Sequence, residues 1–133
     1  MKLKQHIEIP RQLWVDILHT GSSAICDPPV TDTDIDFVIH SKRPTDLFDW
    51  LKIHGYDDCK GEDEAYDAGA GSAFYAVRKG QINIIIVGSE IAYLRWSQAT
   101  ELATRFNLTD KEDRIALFNA IRSPIQDVGD LFF

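Results

Sequence analysis

Gly21-Ser22, followed after eleven residues by Asp34-Ile35-Asp36-Phe37, is the stretch on which the reading of this chain turns. Asp34 to His40 carries Ile35, Phe37, Val38 and Ile39 in succession and reads as a buried strand with its two aspartates at the beginning. Residues one apart on a strand share a face and recur every ~7 Å, close enough for two carboxylates to converge on one divalent cation. Gly21 gives the backbone freedom to approach a phosphate, and the hydroxyls of Ser22 and Ser23 are candidate phosphate donors. The combination points to a metal-bound nucleotide.

Around this stretch the chain alternates helical and extended patterns. Pro10 to about His19 has Leu13, Ile17 and Leu18 at helical spacing, yet Val15, Ile17 and His19 also alternate as in a strand, so both readings stand. Ser23 to Thr33, with Pro28-Pro29 and few apolar side chains, reads as a loop. A helix is expected from Pro44 or Thr45 to His54, with Leu47, Phe48 and Leu51 as its apolar stripe and Gly55 as a left-handed cap. Ala73 to Arg78 and Ile82 to Val87 form two β-favouring runs linked by Lys79-Gly80-Gln81, a hairpin that would pair with the Asp34 strand. Two helices close the chain, one from about Ser89 to Phe106 and one opened by the capping-box pattern Thr109-Asp110-Lys111-Glu112, with Ile115, Phe118 and Ile121 facing the sheet. Trp14, Trp50, Trp96, Phe74, Tyr75 and Phe106 fall in these stripes and strands and are assigned to core packing.

Composition narrows the function classes. At 133 residues, with 44% hydrophobic and 11% aromatic content, the chain is expected to be one folded domain spanning residues 1–133. The net charge of −7 argues against a general electrostatic grip on nucleic acid. Most of that charge lies between Asp57 and Asp67, where six acids face Lys60 alone; with Gly69-Ala70-Gly71 this segment reads as a mobile, solvated loop. Cys26 and Cys59 lack metal-type spacing and read as reduced thiols. No apolar run is long enough to cross a bilayer and the start lacks a signal core, so a cytoplasmic location without membrane contact is expected.

One competing metal motif can be set aside. Asp32, Asp34 and Asp36 alternate like the first ligands of an EF-hand, but Phe37 stands where glycine is needed and Arg43 where glutamate is needed.

The Gly21-Ser22 turn, the spacer and Asp34-x-Asp36 resemble the signature of the nucleotidyltransferase fold of the DNA polymerase beta superfamily. The resemblance implies a minimal α/β core, a small mixed β-sheet flanked by helices. It implies that Asp34 and Asp36 bind Mg2+ or Mn2+, that the Gly21-Ser22 turn, with Ser23 beside it, contacts the triphosphate, and that a third acid sits on a neighbouring strand. Here that third position, within Gln81-Ile82-Asn83-Ile84, is held by Asn83, which can offer a carbonyl oxygen but cannot accept a proton as a carboxylate does. The implied activity is transfer of a nucleotide from a nucleoside triphosphate, ATP by family likeness, to a hydroxyl or phosphate acceptor: a protein, an RNA end or a small molecule. The alternative is a non-catalytic nucleotide- or metal-binding protein of the same fold, or one that meets a host protein. Lys42, Arg43, Arg78, Lys79, Lys111 and Arg114 are candidate cations for the triphosphate, unranked, and Asp32 could add a third carboxylate or lie in a turn. A second likeness joins Cys26-Asp27-Pro28-Pro29, Thr31-Asp32-Thr33-Asp34, Ser72-Ala73-Phe74-Tyr75, Ile82-Asn83, Leu108 to Lys111 and Asp113 to Phe118. With these the chain looks like small predicted nucleotidyltransferases carried by bacteriophages, which implies action inside an infected bacterium.

Overall fold

The computed structural model describes residues 2–28, 34–59 and 73–122. Two 3-10 turns, Lys2–Gln5 and Arg11–Leu13, precede the first strand, β1, Asp16–Thr20. The two open readings of this region are thereby resolved: Pro10 starts only a three-residue turn, and the alternating residues after it extend. The ladder to the next strand decides this, because every residue from Asp16 to Thr20 pairs antiparallel with β2, Ile35–His40. Asp34 stands immediately before β2 and Asp36 is its second residue.

The segment between β1 and β2 departs from the loop expected of Ser23 to Thr33. Ser22–Ile25 forms a single helical turn, α1, in which the Gly21 carbonyl accepts from the N–H groups of Ala24 and Ile25. Ile25 is buried in the core, and that anchor favours a turn of helix over loop. The remainder of that expected loop, 29–33, with Asp32, lies outside the described residues.

Helix α2, Pro44–Ile53, follows as expected, with proline in its first turn and Leu47 and Leu51 fully buried. It ends in a Schellman motif: Gly55 has φ 93°, its N–H reaches the Lys52 carbonyl, and the Tyr56 N–H reaches that of Leu51. Asp57–Asp58, from the acidic stretch, form the short strand β3. The rest of the expected acidic loop, 60–72, is outside the described residues.

Strands β4, Ala73–Lys79, and β5, Ile82–Val87, form the expected hairpin around Gly80, whose φ of 59° suits the first central position of a two-residue loop. Strand β5 pairs in parallel with β2, and β3 pairs antiparallel with β4, so the sheet order is β1-β2-β5-β4-β3. Helix α3, Glu90–Arg105, is capped by the Ser89 hydroxyl, which accepts from the Ala92 N–H. Helix α4, Lys111–Arg122, begins one residue later than a Thr109 cap requires: Asp110 Oδ1 accepts from the Glu112 N–H, and the Thr109 carbonyl is taken by Arg114. It packs mainly on α3.

Strand alternation divides the apolar residues between two cores. Phe37, Ile39, Ile84, Ile86 and Val77 meet Leu47 and Leu51 of α2 together with Leu3, Ile9 and Leu13 on one face. Val38 and Val87 meet Ile25, the Ala92, Trp96, Ala99 and Ala103 stripe of α3, and Phe118 of α4 on the other. Trp96 packs as expected, and Trp14, Trp50 and Tyr75 are half-buried against the α2-side core. Phe106 is the exception at 67% exposure, since it caps the C-terminus of α3 beyond the stripe. The architecture is α/β, a small mixed sheet with helices on both faces, as a minimal nucleotidyltransferase-like core requires.

Candidate functional site

One row of residues crosses the whole sheet. Thr20 stands opposite Asp36, Asp36 beside Asn83, Asn83 opposite Arg78 and Arg78 opposite Asp57. Residues aligned across a ladder point to the same face, so the row gathers polar groups on the α3 side of the sheet, at the N-terminal ends of β2 and β5. Thr20 is buried and its hydroxyl meets Thr100 Oγ1 of α3 at 2.7 Å. Thr100 already donates to the Trp96 carbonyl, which leaves Thr20 as the donor of that pair. This contact fixes the end of β1 at the point where the chain turns into Gly21.

Gly21 lies against Asp36. Its φ is 75°, and a Cβ on it would come 2.1 Å from Asp36 Oδ2, a distance no side chain can occupy. Glycine is therefore required twice over, for the left-handed backbone and for the approach of a carboxylate. Ser22 opens α1 directly after it, half-buried. Ser23 is turned elsewhere: its hydroxyl bonds His19 Nε2 at 2.9 Å, and the His19 ring lies tilted against Phe37, its cross-strand partner on the opposite face from Asp36.

The two aspartates and Asn83 are joined in one chain of contacts. Asn83 Nδ2 donates to Asp36 Oδ1 at 2.9 Å, Arg78 Nε donates to Asn83 Oδ1 at 2.6 Å, and Arg78 Nη2 reaches Asp34 Oδ2 at 3.4 Å. The amide orientation follows from chemistry, since a guanidinium can only donate and a carboxylate can only accept. The structure thus brings Asp34, Asp36 and Asn83 together beside Gly21, and adds Arg78.

Of the other candidate cations, Arg114 is buried in the α3–α4 joint, bonding the Leu108 and Thr109 carbonyls and Cys26 Sγ. Lys79 donates to the His54 carbonyl, and Arg43 pairs with Asp46. Cys26 and Cys59 are not joined in a disulfide. Arg78 was not separable from the other basic residues by composition. Its place was nonetheless encoded: a two-residue loop at Gly80-Gln81 pairs Lys79 with Ile82 and therefore Arg78 with Asn83. His19 gave no comparable signal.

Among the described residues no group of three or more His, Cys, Asp or Glu side chains is placed to hold a metal ion. The donors present are two carboxylates and an amide oxygen, a hard, all-oxygen set that fits Mg2+ or Mn2+ and does not fit zinc. Asp34 and Asp36 are oxygen donors of the kind such an ion takes, whereas the Asn83 carbonyl is engaged by Arg78. Also among the described residues, no helix is long and apolar enough to cross a membrane.

The fold is that of a small α/β protein, a five-stranded mixed sheet flanked by helices, consistent with a minimal nucleotidyltransferase-like core. No protein-family model and no curated protein matches the chain. Among solved structures, the conserved protein GrpB from Enterococcus faecalis is similar, with a TM-score of 0.51 and 19% identity over 91% of this chain and 84% of that one. The likeness is one of fold.

Proposed function

We propose that this protein is a metal-dependent nucleotidyltransferase, moving a nucleotide from a nucleoside triphosphate to a hydroxyl or phosphate acceptor. The observation that carries this reading is the convergence of Asp34, Asp36 and Asn83 in one hydrogen-bonded chain against the Gly21 backbone. Asp34 and Asp36 would hold Mg2+ or Mn2+, which supplies charge neutralisation for the phosphates when bound. Gly21 lets the Asp36 carboxylate lie against the turn, where a Cβ would collide with it, and Ser22 would offer a hydroxyl to the phosphates. The acceptor oxygen would displace pyrophosphate at the α-phosphorus, with rate gained chiefly from alignment and electrostatics. Asn83 cannot take the acceptor's proton, so the proton passes to solvent or to a base on the acceptor. ATP, and an acceptor within a bacterial cytoplasm as the phage likeness implies, belong to this reading.

The test is incubation of the purified protein with each labelled triphosphate, Mg2+ or Mn2+, and bacterial lysate as acceptor. Label transfer that disappears in both Asp34→Ala and Asp36→Ala is the expected result. Absence of transfer from wild-type protein with every triphosphate would end the proposal.

A second reading is favoured by the same contacts. Arg78 and Asn83 already answer charge and hydrogen bonding at Asp34 and Asp36, as in a protein that binds nucleotide without transferring it. Thermal stabilisation by triphosphate and metal, with no transfer, is its signature.

A further inference from the structure

Resting on the reading of Asp34 and Asp36 as a metal pair, we propose that Arg78 is the resident counter-cation of this site. It competes with the divalent ion for Asp34, so that the pair takes the ion strongly only together with a triphosphate. Arg78 Nε holds the Asn83 carbonyl at 2.6 Å while its Nη2 stands 3.4 Å from Asp34 Oδ2. The two contacts differ in strength. The first is short and fixes the amide; the second is long, with Arg78 and Asp34 side chains 44% and 47% exposed, and is weakened by water.

Asparagine at position 83 serves this arrangement as aspartate could not. Its carbonyl accepts from Arg78 and its amide donates to Asp36, linking cation to anion through a neutral group. The charge of Arg78 offsets that of a carboxylate it stands beside, which weakens the pull of Asp34 and Asp36 on a divalent ion. A triphosphate changes both sides of the balance. Its oxygens supply further ligands to the ion, and they attract the guanidinium fork, which suits phosphate geometry better than a long carboxylate contact. Arg78 leaves Asp34 for phosphate as the ion takes its place, and metal and nucleotide bind cooperatively.

The probe is Mn2+ alone, titrated calorimetrically into the whole purified protein with no nucleotide. Arg78→Met removes the competing charge at an exposed position and should bind Mn2+ roughly two- to fivefold more tightly than wild type. Arg78→Lys keeps the charge, and its Mn2+ affinity should stay within about twofold of wild type, a result that lost packing alone would not produce. With a non-hydrolysable triphosphate present, the order reverses and Arg78→Met binds the Mn2+ complex more weakly. Equal or weaker binding of Mn2+ alone by Arg78→Met, or no binding by any variant, overturns the proposal. Tighter Mn2+ binding by Arg78→Met without label transfer by wild type would keep the counter-cation and discard the transferase; intact transfer with unchanged Mn2+ binding would do the opposite.

Discussion

At the scale of single residues, the site is governed by positions where one atom more or less changes the chemistry. Gly21 is the clearest, because its left-handed backbone and its contact with Asp36 exclude a Cβ independently. Gly21→Ala must shift either the turn or the carboxylate, and a loss of about 1–3 kcal/mol in denaturant unfolding is expected. On the proposed function, triphosphate binding should fall further than that loss of stability explains, since the displaced group belongs to the proposed site. Asn83 is the second such position. Asn83→Asp replaces a donor to Asp36 with a like charge, so without metal the protein should lose about 1–2 kcal/mol, and Mn2+ should restore stability to a greater extent than in wild type. Thermal melts with chelator and with Mn2+ measure both terms, and lower stability in Mn2+ than in chelator would contradict the expectation.

At the scale of elements, contacts distant in sequence decide how firmly the site is framed. Asn107 ends α3 with φ 47°, and its side-chain amide both accepts from the Asp27 N–H and donates to the Asp27 carbonyl, each at 3.0 Å. This two-way clasp ties the end of α3 to the chain just after α1, and so braces the turn that carries Gly21. Asn107→Ala loses both bonds and places alanine in a left-handed conformation, at a cost of about 1–2 kcal/mol by chemical denaturation. Such links explain what the sequence could and could not disclose. The hairpin, α2 with its glycine cap and the β2 strand were legible because Gly80, Pro44, Gly55 and the Ile35 to Ile39 run act locally. The residues from Val15 to His19 were ambiguous because their period fits two structures, and only pairing with β2 selects one. Likewise Asp34 and Asp36 could be named from their spacing and Asn83 from the family resemblance, while the bonding of Ser23 to His19 and of Arg114 inside the α3–α4 joint depends on packing that no local pattern records. Arg78 lies between these cases, fixed by hairpin register but recognisable only once Asn83 is known to face the site.

At the scale of the whole molecule, the sheet separates two cores that share one set of strands, and each holds a tyrosine whose ionisation reports on its packing. Tyr56 belongs to the α2-side core, where burial raises its pKa above the ordinary 10.0. Tyr93 packs against the α3-side core, and its pKa is raised first by burial and further by the charge of Asp16. For both groups the folded value exceeds the unfolded one, so the folded state binds more protons between the two values and stability falls with rising pH there. Their contribution is complete below pH 10.0 and is lost as pH climbs through the folded values. Because every strand pair joins the two cores through one backbone, opening of either face should unfold both in a single transition. Melting followed from neutral pH to above 10.0 by tyrosinate absorbance and by circular dichroism should therefore show coincident curves with a decline on the alkaline side. Tyr56→Phe should flatten part of that decline and Tyr56→Phe with Tyr93→Phe more of it, while leaving the neutral-pH transition cooperative. Two separated transitions, or an alkaline decline unchanged in the double variant, would show that the faces unfold independently or that other groups govern the high-pH limit.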